Sequence, residues 1–207
     1  GGAEEEDFDQ ASLGVRWTHS GAVGKPSPMA IAPRTPVIVG AGQTLRRPER
    51  ATDTTEPADM MVDALRLAAD DSGAGAKVLQ RADSVRVIEI LSWRYPNASA
   101  LVAERVGASP RQLMRSATGG NSPQLVLNDA AASVQRGELD VVVLAGAEAM
   151  YTRLLARKTR ERFDWTTQPP ETPLPEVIGD ERPGPNDAEM ARALAMPTQG
   201  DPGFGNA

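Results

Sequence analysis

The chain is expected to fold as an α/β domain in which helices cross over a mostly parallel, mixed sheet. Three observations predict this. Short β-branched runs alternate with segments of helical period between residues 35 and 144, in the order β-α-β-α-β-α-β. The hydrophobic share is 40% but aromatics make up only 4%, so the core has to be aliphatic, which suits close helix–sheet packing. The stretch 139–144 is a near-continuous apolar run, as expected of a strand buried on both faces.

The elements follow in order. Residues 1–34 are acidic and then Gly/Pro-rich, with neither period, and are expected to be a disordered leader or extension. Met29 would make a natural start, which leaves residues 1–28 as a tag or upstream extension. Thr35 to Gly40 reads as a buried strand, because it is β-branched and ends on glycine. A loop over 43–56 leads to a helix over about 57–72. There Met61, Leu65 and Ala68 share a face, with Met60, Ala64 and Leu67 beside it. Pro57 suits its first turn, and Gly73 and Gly75 stop it.

Ser84 to Leu91 is the second strand. Asn97 caps a helix over about 98–106 that ends on Gly107. Gln112 to Ala117 is the third strand, and Thr118-Gly119-Gly120-Asn121 is a sharp turn. Ser122 as N-cap and Pro123 at the first helical position open a helix that runs to about Arg136. Its Ala130, Ala131, Ala132 and Ser133 are small, so it is expected to be central and covered. Leu139 to Leu144 is the fourth strand. Residues 151–162 are basic and helical, and 165–186 are Pro-rich and irregular. Asn186, with Glu189 as capping partner, opens a short helix over about 187–195. The Gly/Pro-rich tail 197–207 is expected to fray.

Composition narrows the chemistry. The net charge is −6, and half of it lies in residues 1–28, where Glu4, Glu5, Glu6, Asp7 and Asp9 face only Arg16 and Lys25. No overall basic balance points to nucleic acid. There is no cysteine, and His19 is the single histidine. Disulfides, thiolate metal sites and Ser-His-Asp triads are thereby set aside, and no metal site is expected. No apolar run reaches 18 residues, so no membrane span is expected, and the acidic start is unlike a signal peptide. Cytoplasm is the default location.

Four features are candidate sites. Gly40-Ala41-Gly42 follows a strand as a dinucleotide fingerprint does, but the third glycine's place is Leu45, so a tight turn is expected instead. At Thr118–Pro123 a glycine pair ends a strand and leads straight into a helix, where backbone amides and the helix dipole converge. Asn121 and Ser122 are its candidate catalytic residues. Ser122 would need a base to act as a nucleophile, and the alternative is that it only caps the helix. Arg153, Arg157, Lys158, Arg160 and Arg162 form a basic run. It suits the phosphates of a ligand such as coenzyme A, or else forms a solvated helical face.

The segment Gly137-Glu138-Leu139-Asp140-Val141-Val142-Val143-Leu144-Ala145-Gly146-Ala147-Glu148-Ala149-Met150 resembles the signature of the thiolase superfamily. In that family a helix ends in Gly-Asp/Glu, a valine-rich strand follows, and then Gly-Gly-x-Glu-Ser-Met. The chain is most similar to the thiolase-like acetyl-CoA acetyltransferase homologues and the lipid-transfer-protein thiolases, with residues 35–150 as the N-terminal half. The resemblance implies a thiolase-like N-terminal domain and a role as acetyl-CoA C-acyltransferase, with coenzyme A or an acyl-CoA as ligand and no covalent cofactor. Arg153, Arg157 and Lys158 would contact the coenzyme from a partial loop domain over 151–207.

The resemblance also puts the enzyme in question. Counting back from Gly137, the family's nucleophilic cysteine falls on Gly120, and its Cys-x-Ser-Gly motif reads Gly120-Asn121-Ser122-Pro123. The family's Gly-His-Pro, Cys-x-Gly and Asn-Glu-Ala-Phe motifs do not occur in the 207 residues. A degenerate or truncated homologue is therefore expected, one that binds acyl-CoA or serves a partner without thiolysis of its own. The alternatives are a subunit of a composite acyltransferase or aldolase completed by another chain, and a non-catalytic interaction domain. A homodimer or a hetero-complex with a C-terminal thiolase-like half is expected, with strand 112–117 pairing across a two-fold axis.

Overall fold

A computed structural model of the chain describes residues 32–50, 55–181, 184 and 186–192. The leader 1–31 with His19 and Met29, and the tail beyond 192, lie outside the described residues. The described part is an α/β fold around a four-stranded sheet. Its helices are α1 (Pro57–Asp71), α2 (Ala76–Gln80), α3 (Ala98–Val106), α4 (Ser122–Gln135), α5 (Met150–Thr159) and α6 (Asp187–Ala191). Its strands are β1 (Ser84–Val87), β2 (Gln112–Ser116), β3 (Val142–Ala145) and β4 (Glu176–Ile178), in the spatial order β3-β1-β2-β4. Every pair is parallel, so the expected mixed sheet is all-parallel among the described residues.

The faces follow from the register. Val85 and Val143 are partners, and Val87 pairs with Ala145. These residues point with Leu113 into a core closed by Met61, Val62, Leu65 and Ala69 of α1, Leu79 of α2, and Val102 and Val106 of α3. Ser84 and Arg86, one residue out of step, face the opposite side, where Arg86 meets Asp129 of α4. So α1–α3 cover one face and α4 the other. That is what right-handed crossovers require when the first step runs from β1 to β2 and the next returns past β1 to β3.

Helix ends obey local chemistry. Pro57 begins α1 behind Glu56, and the Asn97 side chain accepts from the Ala100 amide to cap α3. Gly107 and Gly137 take positive φ to end α3 and α4. In α1 the buried stripe is Ala58, Met61, Val62, Leu65 and Ala69, while Leu67 is exposed. Ala68, expected on the Met61–Leu65 face, and Ala64, expected beside it, instead receive the segment of Gly40 and Gly42.

Several expectations are corrected. Residues 35–40 form no strand and lie outside the sheet, with Val37, Ile38 and Val39 at 68%, 74% and 59% exposure. The segment lies along α1 instead. Gly40 and Gly42 make that approach possible. A Cβ on either would collide with the carbonyl oxygen of Ala68 or Ala64. The glycines thus serve backbone-to-helix packing rather than a tight turn.

Strand β4 arises from the stretch read as irregular, and α2 was not expected. Ser122 is the first residue of α4 and not its cap, because Asn121 holds that place without a side-chain bond. Only Ser122, Val126, Ala130 and Ser133 of α4 are buried, so in this chain it is a surface helix, not a covered one. The expected pairing of strand 112–117 across a two-fold is closed, since β2 has β1 on one edge and β4 on the other. No described helix is long and apolar enough to cross a membrane.

Candidate functional site

In a parallel sheet all strand C-termini open on one edge, and ligands favour the crevice where neighbouring connections leave to opposite faces. Here that place lies between β1, which leads to α3, and β2, which leads to α4. It is shut. Arg115 bonds Glu89 at 3.1 Å and Glu181 at 2.7 Å, and the Glu89 amide donates to the Ser116 hydroxyl at 3.0 Å. The space left beside Val87–Ile90, Trp93 and Tyr95 is about 20 Å³, room for about one water.

The β2–α4 turn stands at the same edge. The Ser122 hydroxyl is buried and donates to the Ala117 carbonyl at 2.7 Å, and its amide donates to the Gly119 carbonyl at 3.1 Å. That hydroxyl ties the turn to the strand end, and among the described residues no base is bonded to it. Asn121 is exposed, and its carbonyl accepts from the Leu125 amide. Gly120 is exposed too, and a Cβ built there meets nothing within 4 Å. A side chain at Gly120 would therefore stand free at the mouth of α4, where the Ser122 amide is taken by Gly119 and Pro123 has none to offer.

The Gly137–Met150 segment frames the sheet edge. At its start the Asp83 carboxylate accepts the Asp140 and Val141 amides at 2.8 and 3.0 Å. These two bonds hold the Asp83 pKa below the ordinary value, against a smaller burial penalty. At its end Glu148 accepts the Leu91 and Ser92 amides at 2.6 and 3.0 Å, and the Ala149 amide donates to the Ser92 hydroxyl. Two carboxylates thus lock β3 to β1 at both ends.

Sequence reasoning missed the buried charges. Arg86, 1% exposed, reaches Asp129 at 2.5 Å and Ser84 at 3.3 Å. Glu56 is buried at the start of α1 and pairs with Arg105 at 2.6 Å. It also accepts from the Tyr95 hydroxyl and from the Thr166 amide and hydroxyl. Burial alone would raise the Glu56 pKa, but the bonds from Thr166, Arg105 and Tyr95 outweigh it and the net shift is downward. Tyr95 is pushed upward, first by its burial. With the Trp93–Phe163–Trp165 ring cluster and the Asn97 amide bond to the Pro173 carbonyl, Glu56 fastens the 161–175 segment onto α1 and α3. The one available signal was an acidic residue directly before the Pro57 helix start.

The basic run lies on α5 and just beyond. Arg153 donates to the Leu91 carbonyl at 3.1 Å, while Arg157 and Lys158 are exposed. Only Thr152 and Ala156 of α5 are buried, and Tyr151 and Leu154 are each 60% exposed. Gly120, Asn121 and Ser122 are together on one turn, whereas Arg153, Arg157 and Lys158 follow a different strand. Among the described residues no group of three or more His, Asp or Glu side chains could hold a metal ion.

No protein-family model matches the sequence, and no curated protein does. A solved structure to which the chain is similar is that of a monomeric SCP2-thiolase like protein type 1 from Mycobacterium smegmatis. The two are 30% identical with a TM-score of 0.49, over 56% of this chain and 24% of that one. The chain thus spans well under half the length of that protein.

Proposed function

We propose that the chain is a thiolase-like, acyl-CoA-binding polypeptide in which the nucleophile's place has been vacated. The reading rests first on the Gly137–Met150 signature, which sets the register. The single observation that carries the functional part is at Gly120. The position counted as the nucleophile's stands exposed at the start of α4, with room for a side chain, and carries no atom that could accept an acyl group. Ser122 does not replace it, because its hydroxyl is buried and spent on Ala117. Acyl transfer through a thioester needs an activated thiolate and a second acid–base group, and the sequence has no cysteine.

Coenzyme A would be met by Arg153, Arg157 and Lys158, which present fixed charge near the same edge of the sheet. The test is a thiol-release assay with acetoacetyl-CoA and free coenzyme A, run beside calorimetric titration with acetyl-CoA. Saturable binding without thiolytic turnover is the expected result. Turnover by the purified chain, lost on Ser122→Ala, contradicts it.

One observation favours a partner that completes the fold. The outer side of α4, with Leu125 at 37% exposure and Gln124 and Asn128 beside it, is uncovered. A homodimer or a complex with a C-terminal thiolase-like half would cover it. Sedimentation of the chain, alone and with such a half, distinguishes association from a lone monomer.

A further inference from the structure

We propose that the outer face of α5, with the chain just after it, docks on the surface of an anionic lipid bilayer. Thr152 and Ala156 are the buried residues of α5 and set its inner side. At about 100° per residue, Met150, Leu154 and Lys158 fall on the opposite side, with Tyr151 and Arg157 flanking them. Met150, Tyr151 and Leu154 are 43%, 60% and 60% exposed. Three large apolar side chains thus face outward from a helix that buries two small residues.

The face divides along the helix. Its first turns carry the apolar residues, and its end carries Arg157 and Lys158, followed by Arg160 and Arg162. All four cations are exposed and make no ion pair with a described residue, whereas Arg34, Arg46, Arg105, Arg115 and Arg136 each meet a carboxylate. Residues 150–160 include no acidic side chain, and Glu161 accepts from the Thr159 hydroxyl at 2.9 Å.

A merely solvated helix face mixes both signs of charge. This one combines a single sign with apolar groups. Charge complementarity selects a negative partner, and the apolar residues beside the cations select one with an oily layer beneath its charges. A bilayer with anionic headgroups offers both. Its phosphates meet the long Arg and Lys side chains, and its headgroup boundary takes Tyr151 and Leu154. A polyacidic peptide offers the charge alone.

The inference goes beyond the acyl-CoA reading and shares Arg157 and Lys158 with it, but not Leu154, Arg160 or Arg162. The test is cosedimentation of the 207-residue chain with phosphatidylcholine vesicles, with and without about one-third phosphatidylserine. Binding is expected only with phosphatidylserine, and it should fall at least about tenfold between about 0.1 M and about 0.5 M salt. Arg160→Gln/Arg162→Gln should weaken it about 25-fold, about fivefold for each cation. Leu154→Gln, at an exposed site, should weaken it about tenfold. Lys77→Gln, at an exposed cation on α2, should leave it unchanged. No preference for phosphatidylserine, equal loss in Lys77→Gln and Arg160→Gln/Arg162→Gln, or full binding by Leu154→Gln each overturns the proposal. An equally tight complex with polyglutamate or single-stranded RNA assigns the face to another partner and overturns it too. Leu154→Gln and Arg160→Gln/Arg162→Gln should bind acetyl-CoA as the parent chain does, which separates the two readings.

Discussion

The guanidinium of Arg86, in the central strand, meets the carboxylate of Asp129 on α4 at 2.5 Å, and this pair ties α4 to a sheet face that Arg86 shares with its register partners Met114 and Leu144. Ser84 shares that face and accepts from the Arg86 Nε. Asp129→Ala would leave Arg86 buried with one partner lost. A cost of about 2 kcal/mol is expected, reduced from the fully buried case because Asp129 is 42% exposed. Urea unfolding of this variant and of the Arg86→Met/Asp129→Leu double variant measures it. The double variant should recover most of the loss, and an unchanged midpoint in Asp129→Ala contradicts the pairing.

Glu148 should matter for the 91–92 backbone rather than for chemistry. Glu148→Ala removes the acceptor of two amides, one in an exposed residue. A loss of about 1–2 kcal/mol is expected. Amide exchange at Leu91 and Ser92 should quicken first in hydrogen-exchange spectra. Equal exchange rates in variant and parent would count against the bracket.

Acid should loosen the 161–175 segment before it unfolds the core. The folded pKa of Glu56 lies below the ordinary 4.5. Its stabilising contribution is therefore complete above that value and disappears as pH falls through the lower folded one. Tryptophan emission from Trp93 and Trp165, followed from pH 6 downward, should shift in that range. Glu56→Gln should already show the shifted emission at neutral pH and should remove the acid step. An acid step of the same size in Glu56→Gln places its origin elsewhere.

How much of this was legible in the sequence depends on where the energy lies. Residues 98–106 read as a helix because Asn97 and Gly107 are local signals, and that helix is found at those bounds. The alternation of β1–α3–β2–α4–β3 was legible for the same reason. Val37–Val39 misled because β-branched residues carry a strand preference that tertiary context overrides, and here the segment packs on α1 through Gly40 and Gly42. The turn at Gly120 was located, but the use of the Ser122 hydroxyl was not, since a serine before Pro123 suits a cap and a first-turn residue alike. Arg86 and Glu56 were illegible because their partners lie about 40 to 110 residues away.

Gly42 carries a steric prediction. Gly42→Ala sets a methyl against the Ala64 carbonyl and the backbone of α1. The neighbour is backbone and has little room to move, so a cost of about 1–3 kcal/mol is expected. The change should appear as faster proteolysis within 38–46 while circular dichroism of the sheet and helices is kept. Undiminished protection of this segment would show that it does not depend on contact with α1.

The most direct test of the vacated nucleophile is mass spectrometry of the 207-residue chain after incubation with acetyl-CoA, recorded under native and then denaturing conditions. The account predicts a complex with intact acetyl-CoA in the first spectrum and the unmodified chain mass in the second. An acetyl group retained on the denatured chain, or no complex at all, would contradict it.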